Sequence, residues 1–123
     1  MRIRPYQNKD FDIISQWITD ERSHALWCAN LMPYPLEKNS FDALLQEAEE
    51  RFGDSPFVAT TNDGQVVGFF CFSVNLHTNE GMLKFVVIDN TMRNKGYGCE
   101  MLKLAIKYAF EIAKADAVHL NVF

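Results

Sequence analysis

The segment Phe85-Val86-Val87-Ile88-Asp89-Asn90-Thr91-Met92-Arg93-Asn94-Lys95-Gly96-Tyr97-Gly98-Cys99 joins an apolar run to a stretch of helical period. The apolar run has no polar face, as a central strand covered on both sides requires. Beyond Gly96, Met101, Ala105, Tyr108 and Ile112 share one side, while Glu100, Lys103, Lys107, Glu111 and Lys114 form the opposite, solvated stripe. A buried strand that runs through a short turn into a long amphipathic helix excludes all-β and all-helical folds. The junction also has a chemistry. A helix start exposes unpaired N–H groups and the positive end of the dipole, and Gly96 and Gly98 let a bulky phosphate approach that backbone. Arg93 and Lys95 add positive charge. These residues describe an anion site at a helix N-terminus, suited to a phosphate ester.

The remaining elements follow from period and punctuation. Met1–Tyr6 reads as a short first strand. Asn8 is placed to cap a helix through about Thr19, with Asp10 in its first turn and Phe11, Ile14, Trp17 and Ile18 at helical spacing. Residues 20–38 read as irregular, because Pro33 and Pro35 forbid a continuous helix. A second helix starts near Asn39 or Ser40, buries Phe41, Leu44, Leu45, Ala48 and Phe52, and stops at Gly53. Strands over 56–62 and 65–75 are joined across Asp63-Gly64, a hairpin signal. A third strand covers about 81–88, broken in its apolar character by Lys84, and the last covers 117–123. The order is β-α-α-β-β-β-α-β, an α/β (α+β) chain on a mixed, mostly antiparallel sheet, and the 123 residues fit one domain.

Which phosphate ester the junction takes is narrowed by motif. A P-loop would need Gly-x-x-x-x-Gly-Lys-[Ser/Thr], which is absent. A dinucleotide fingerprint would need a third glycine where Met101 stands, and the preceding strands read as an antiparallel meander. Arg93-Asn94-Lys95-Gly96-Tyr97-Gly98 matches [Gln/Arg]-x-x-Gly-x-[Gly/Ala], the acetyl-CoA signature of the GNAT N-acetyltransferase superfamily. With Val86-Val87-Ile88 before it, an amphipathic helix after it and β-α-α-β-β-β ahead of both, the chain resembles that superfamily over nearly its whole length.

The resemblance implies that the N–H groups of Asn94, Lys95, Gly96, Tyr97, Gly98 and Cys99 hold the CoA pyrophosphate. It implies that the edge of Val86, Val87 and Ile88 pairs with the pantetheine arm, an N–H near Val86 or Val87 facing the thioester carbonyl. The following parallel strand would splay away to admit the acyl chain. The acceptor, a small-molecule or peptide amine, would attack the thioester directly, with no covalent enzyme intermediate and no metal. Asn90 stands where many relatives carry proline. Relatives continue past the last strand into an Asn-containing turn, a helix with a Tyr that protonates the leaving thiolate, and further strands. Residues 1–123 contain none of these, so a C-terminally incomplete domain is expected, with the usual Tyr general acid absent and the open edge inviting self-association, as a homodimer for example.

Other residues carry paired readings. Cys99 sits where thiol pKa values fall, but no His is near in sequence and direct transfer needs no nucleophile, so its contribution is expected to be its N–H. Glu80 is a candidate general base through a water, or a solvated loop carboxylate beside Asn79. His119 and Asn121 share one strand face and would line the acceptor cleft or form a hydrogen-bonded pair. Trp27, with His24 and Tyr34, either lines that pocket or staples a loop; Trp17 is core, and Cys71 a buried small hydrophobe. A net charge of −4 disfavours nonspecific nucleic-acid binding. Three separated cysteines make neither a disulfide framework nor a zinc site. No apolar run approaches a membrane span and the N-terminus lacks a secretory h-region, so a cytoplasmic protein is expected. Two functions compete at this point: an acetyl-CoA:amine N-acetyltransferase, and a catalytically silent CoA-binding or interaction module.

Overall fold

The apolar run after Gln65 becomes β3 (Val66–Asn75), buried continuously from Val66 to Ser73 because it lies mid-sheet with helices on both faces. The computed structural model describes residues 1–92 and 95–120. Around β3 run β1 (Arg2–Pro5), β2 (Ser55–Thr60), β4 (Glu80–Ile88) and β5 (Ala117–Leu120), in the sheet order β1-β2-β3-β4-β5. The first four form an antiparallel meander, and β5 pairs parallel to β4 over Glu80–Leu83.

Adjacent residues of β3 face opposite ways. Phe69 joins Phe11, Ile14, Trp17, Trp27 and Phe41 under the helices α1 (Phe11–Ile14), α2 (Glu21–Cys28) and α3 (Lys38–Phe52). Phe70 joins Phe57, Phe72 and Leu83 under α4 (Tyr97–Glu111), whose Met101, Ala105 and Ala109 are buried. Gly68 sets how closely α4 approaches. A Cβ there would sit 2.5 Å from Met101 Sδ and 2.9 Å from Ile88 Cδ1. The missing side chain thus lets the start of α4 settle beside the end of β4.

The meander, the Gly53 stop and the place of α3 match the sequence expectations, while several details differ. Phe52, expected on the buried stripe of α3, is exposed at its last position. The first helix is short: a 3-10 turn (Asn8–Asp10) leads into α1, after which the Gln16 and Trp17 N–H groups bond to Ile13 and Ile14 carbonyls and the helix tightens out. The cap position is Gln7, not Asn8. Residues 20–38 are not wholly irregular, since α2 begins where the Asp20 carboxylate accepts from the Ser23 N–H at 2.7 Å. The prolines lie beyond its end. Ile112, expected on the buried stripe, follows the last residue of α4 and is exposed; Ala109 takes the place.

Asp10 is buried in this frame, and the Arg4 guanidinium meets both its oxygens at 2.8 and 2.9 Å while the Gln7 N–H donates at 2.8 Å. Burial pushes the carboxyl pKa up, but the Arg4 and Gln7 hydrogen bonds outweigh it and hold the pKa below its ordinary 3.8. A depressed folded pKa stabilises the fold above the unfolded value, and that stabilisation is lost as pH falls through the folded value. We expect Arg4→Met to cost on the order of 3 kcal/mol, the low end for breaking a buried pair, since Arg4 keeps partial solvent access. In urea melts from pH 7 to pH 3 the wild type should lose its advantage over Arg4→Met as the solution becomes acidic. A gap that stays constant across that range would contradict the assignment.

Candidate acetyl-CoA site

The turn after β4 is held from within. The Asp89 N–H donates to the Val67 carbonyl at 2.8 Å, and Asp89 Oδ1 accepts from both the N–H and the hydroxyl of Thr91. The chain then passes a 3-10 turn (Asn90–Met92) and reaches Gly96, the N-cap of α4. Gly96 has φ 76°, a left-handed conformation that side chains resist, and a Cβ there would meet nothing within 4 Å. The first α4 bond runs from the Glu100 N–H to the Gly96 carbonyl at 3.0 Å. The N–H groups of Tyr97, Gly98 and Cys99 therefore have no intrahelical partner, and they open a helix of 15 residues. Lys95, Gly96 and Cys99 are exposed beside them. Donors, dipole and an unobstructed glycine fit a pyrophosphate. Arg93 and Asn94, expected in the same site, lie outside the described residues.

Val86, Val87 and Ile88 lie at the C-terminal end of β4, half-buried and directly before this turn. The described pairing with β5 ends at Leu83 and Leu120. Between the paired stretch and Val86 the strand carries a bulge: Cys71 is opposite Lys84 and Phe69 opposite Val87, so Phe70 alone faces Phe85 and Val86. Phe85 takes φ 54°. Sequence alternation has no means of finding this bulge, because the apolar residues on both sides of it hide the slip. Nor does it connect Lys84 with Asp54. Lys84 reaches the buried Asp54 at 2.9 Å and lies over the Phe52 ring at 4.7 Å, which explains a charged residue within the apolar stretch 82–88.

Glu80 and His119 come together across β4 and β5, the imidazole Nε2 meeting the carboxylate. That hydrogen bond to His119 is the main cause holding the Glu80 pKa below its ordinary value. Both residues line an open cleft of about 930 Å³ that runs past Met82 and Lys84 and the end of α3. Six steps along the strand lead from Glu80 to Val86, about 20 Å at ~3.3 Å per residue. A general base must reach its proton directly or through one water, and an acyl group bound at Val86 would lie beyond that reach of Glu80. Asn121 lies outside the described residues. Trp27 is buried, 8% exposed, and its indole Nε1 donates to the Phe85 carbonyl at 2.9 Å. Among the described residues the His24 and His119 rings bond to Met32 and Glu80, not to Cys99, whereas Cys28 and Cys71 are buried, and burial raises the Cys71 pKa. Among the described residues no group of three or more His, Cys, Asp or Glu could hold a metal, and no helix is long and apolar enough to cross a membrane.

A parallel strand pair, a bulge in the first strand and an open helix start after it define an acyl-CoA-binding architecture. The chain belongs to the acetyltransferase (GNAT) family, whose model matches residues 11–123. Its fold is also that of solved N-acetyltransferases. Spermidine N-acetyltransferase from Vibrio cholerae in complex with CoA and spermine superposes with a TM-score of 0.78 at 15% identity, over 98% of this chain and 70% of that one. A chimera of the Vibrio cholerae enzyme gives a TM-score of 0.75 at 13% identity, covering 98% of this chain and 69% of the other. At these identities the likeness is one of fold. Family and fold together make the chain an acetyl-CoA-dependent N-acetyltransferase.

Substitutions at the two glycines of the loop should separate. Gly96→Val forces a β-branched residue to positive φ, and we expect it to abolish the thermal stabilisation by CoA while far-UV circular dichroism stays nearly unchanged. Gly98→Ala places a Cβ at an ordinary 3.6 Å from Ile88 Cγ1 and should keep binding within a few-fold. Stabilisation follows RT ln(1 + [L]/Kd), so full stabilisation of Gly96→Val would remove the loop from the binding site.

Proposed function

We propose that this chain acetylates the primary amine of a small molecule bearing little charge beyond that amine, by direct attack on the thioester. The observation that carries the reading is the set of three N–H groups at the start of α4 that have no partner among the described residues, next to the end of the bulged strand β4. Acetyl-CoA supplies an acyl group activated as a thioester. The N–H groups of Tyr97, Gly98 and Cys99, with Lys95 beside them, hold the pyrophosphate. The Val86–Ile88 edge receives the pantetheine amides as a neighbouring strand would, which aligns the acyl carbonyl with the N–H of Val86. That donor stabilises the negative charge that grows on the carbonyl oxygen, the kind of preorganised contact worth ~10²–10³ in rate. The amine nitrogen bonds to the acyl carbon as the carbon–sulfur bond breaks. Sulfur leaves with the electron pair, and the proton released by the amine reaches it through water.

The acceptor reading rests on the cleft that ends near Lys84. Its described charged lining is Arg51, Lys84 and Glu80, with Lys84 balanced by Asp54 and Glu80 held by His119. Walls so close to neutral offer no well for a polycation. The solved structures of similar fold act on spermidine, so spermidine is the acceptor to compare first, and an amine with a single charge is favoured over it. Glu80 and His119 would then contact the far end of the acceptor, and the proton would leave through solvent.

Thiol release from acetyl-CoA with a panel of monoamines, amino acids, peptides and polyamines tests this. We expect turnover with monoamines to exceed that with spermidine. Acetyl-CoA binding with no turnover for any amine would favour a silent CoA-binding module. Cys99→Ala should retain transfer within a few-fold. An acetyl adduct on Cys99, seen by intact-protein mass spectrometry, would overturn direct attack.

A further inference from the structure

We infer that Trp27 is a positioning residue for acyl transfer: by holding the Phe85 carbonyl it aims the Val86 N–H at the acyl oxygen. The inference rests on the acetyl-transfer reading above and names how its donor is oriented. Phe85 is a bulky residue at φ 54° inside a strand, a conformation that such residues keep only when their surroundings impose it. The imposing contact is the Trp27 indole N–H, which donates to the Phe85 carbonyl at 2.9 Å from 58 positions away in sequence.

The Phe85 carbonyl and the Val86 N–H belong to one planar trans peptide unit, in which the two bonds point in opposite directions. Fixing the carbonyl toward α2 therefore fixes the N–H away from it. A hydrogen bond accepted at one end of the unit also polarises the donor at the other. Trp27 is itself held firmly. Its ring packs within 6.1 Å of Phe41 and 6.4 Å of both Phe69 and Phe85, centroid to centroid. The helix that carries it is capped by Asp20 and tied through His24 Nε2, which donates to the Met32 carbonyl at 2.8 Å. An indole fixed this way can dictate the orientation of a peptide that its own residue would avoid. Without the indole N–H the Phe85–Val86 unit is free to rotate and the donor loses its aim, and a misplacement of ~1 Å at a reacting centre costs ~10²-fold.

The test replaces the N–H and keeps the shape. Trp27 is exchanged for β-(3-benzothienyl)alanine, in which sulfur stands in place of the N–H, and Trp27→Phe serves as a second variant. We expect kcat to fall about ten- to hundred-fold, with the KM for acetyl-CoA and the CoA-induced thermal shift within about two-fold of wild type. A merely structural tryptophan would lower the melting temperature and leave the kcat of folded protein unchanged; that result in the benzothienyl variant overturns the proposal. Wild type is assayed first, since failure there concerns the acetyl-transfer reading and not Trp27. A second readout needs no turnover: the amide signal of Val86 in nitrogen-15 spectra should respond differently to acetyl-CoA and to CoA in wild type, and this difference should vanish in both variants. A difference that persists in the variants, or is missing from wild type, also overturns the role of Trp27.

Discussion

The neighbouring side chains of Phe69 and Phe70 point to opposite faces of β3, and each is a centre of one of the two cores. Everything else in the chain is organised by that division. Three helices cover the Phe69 face, one long helix covers the Phe70 face, and the strands on both sides of β3 must alternate in step with it. The bulge at Phe85 is the one place where β4 falls out of step with β3. It puts Lys84 and Phe85 on the same face, so that Lys84 meets Asp54 and Phe85 packs against the Phe69 core, and then restores alternation for Val86, Val87 and Ile88.

The parts legible in the sequence are those set by strong local periods. The amphipathic stripe of α4, the Asp63-Gly64 hairpin and the glycines after β4 all announce themselves within a few residues, so the turn from β4 into α4 is recognisable from its own residues alone. What the sequence hides depends on partners far away along the chain. Helix α2 buries only His24, Trp27 and Cys28, a stripe too narrow and too polar to register, although the Asp20 and Ser23 spacing is a cap signal that points to it. The slip at Phe85 has no local mark at all. Its cause is an indole in another element, and Gly68 likewise has meaning only once Met101 lies above it. Glu80 and His119 each stand out as candidates, but their pairing depends on the parallel register of β4 and β5, which no local pattern announces.

Two buried carboxylates of this fold are held in ion pairs. Asp10 with Arg4 fastens β1 to the entry of α1, and Asp54 with Lys84 fastens the end of α3 to β4. Both pairs put a buried carboxylate against a more accessible cation, which limits the desolvation cost of the arrangement. One sits at the β1 edge of the sheet and the other on the wall of the cleft, so the second also sets the charge of that wall.

The three cysteines are distributed very unevenly between interior and surface. Cys28 and Cys71 are sealed in the core, while Cys99 is exposed in the first turn of α4. A thiol-directed fluorophore or spin label therefore has one accessible address in the folded protein, and that address lies at the start of α4. The sequence already carries its own spectroscopic handle: a label on Cys99 reports on the start of α4, and the sudden reactivity of the other two thiols reports the opening of the cores.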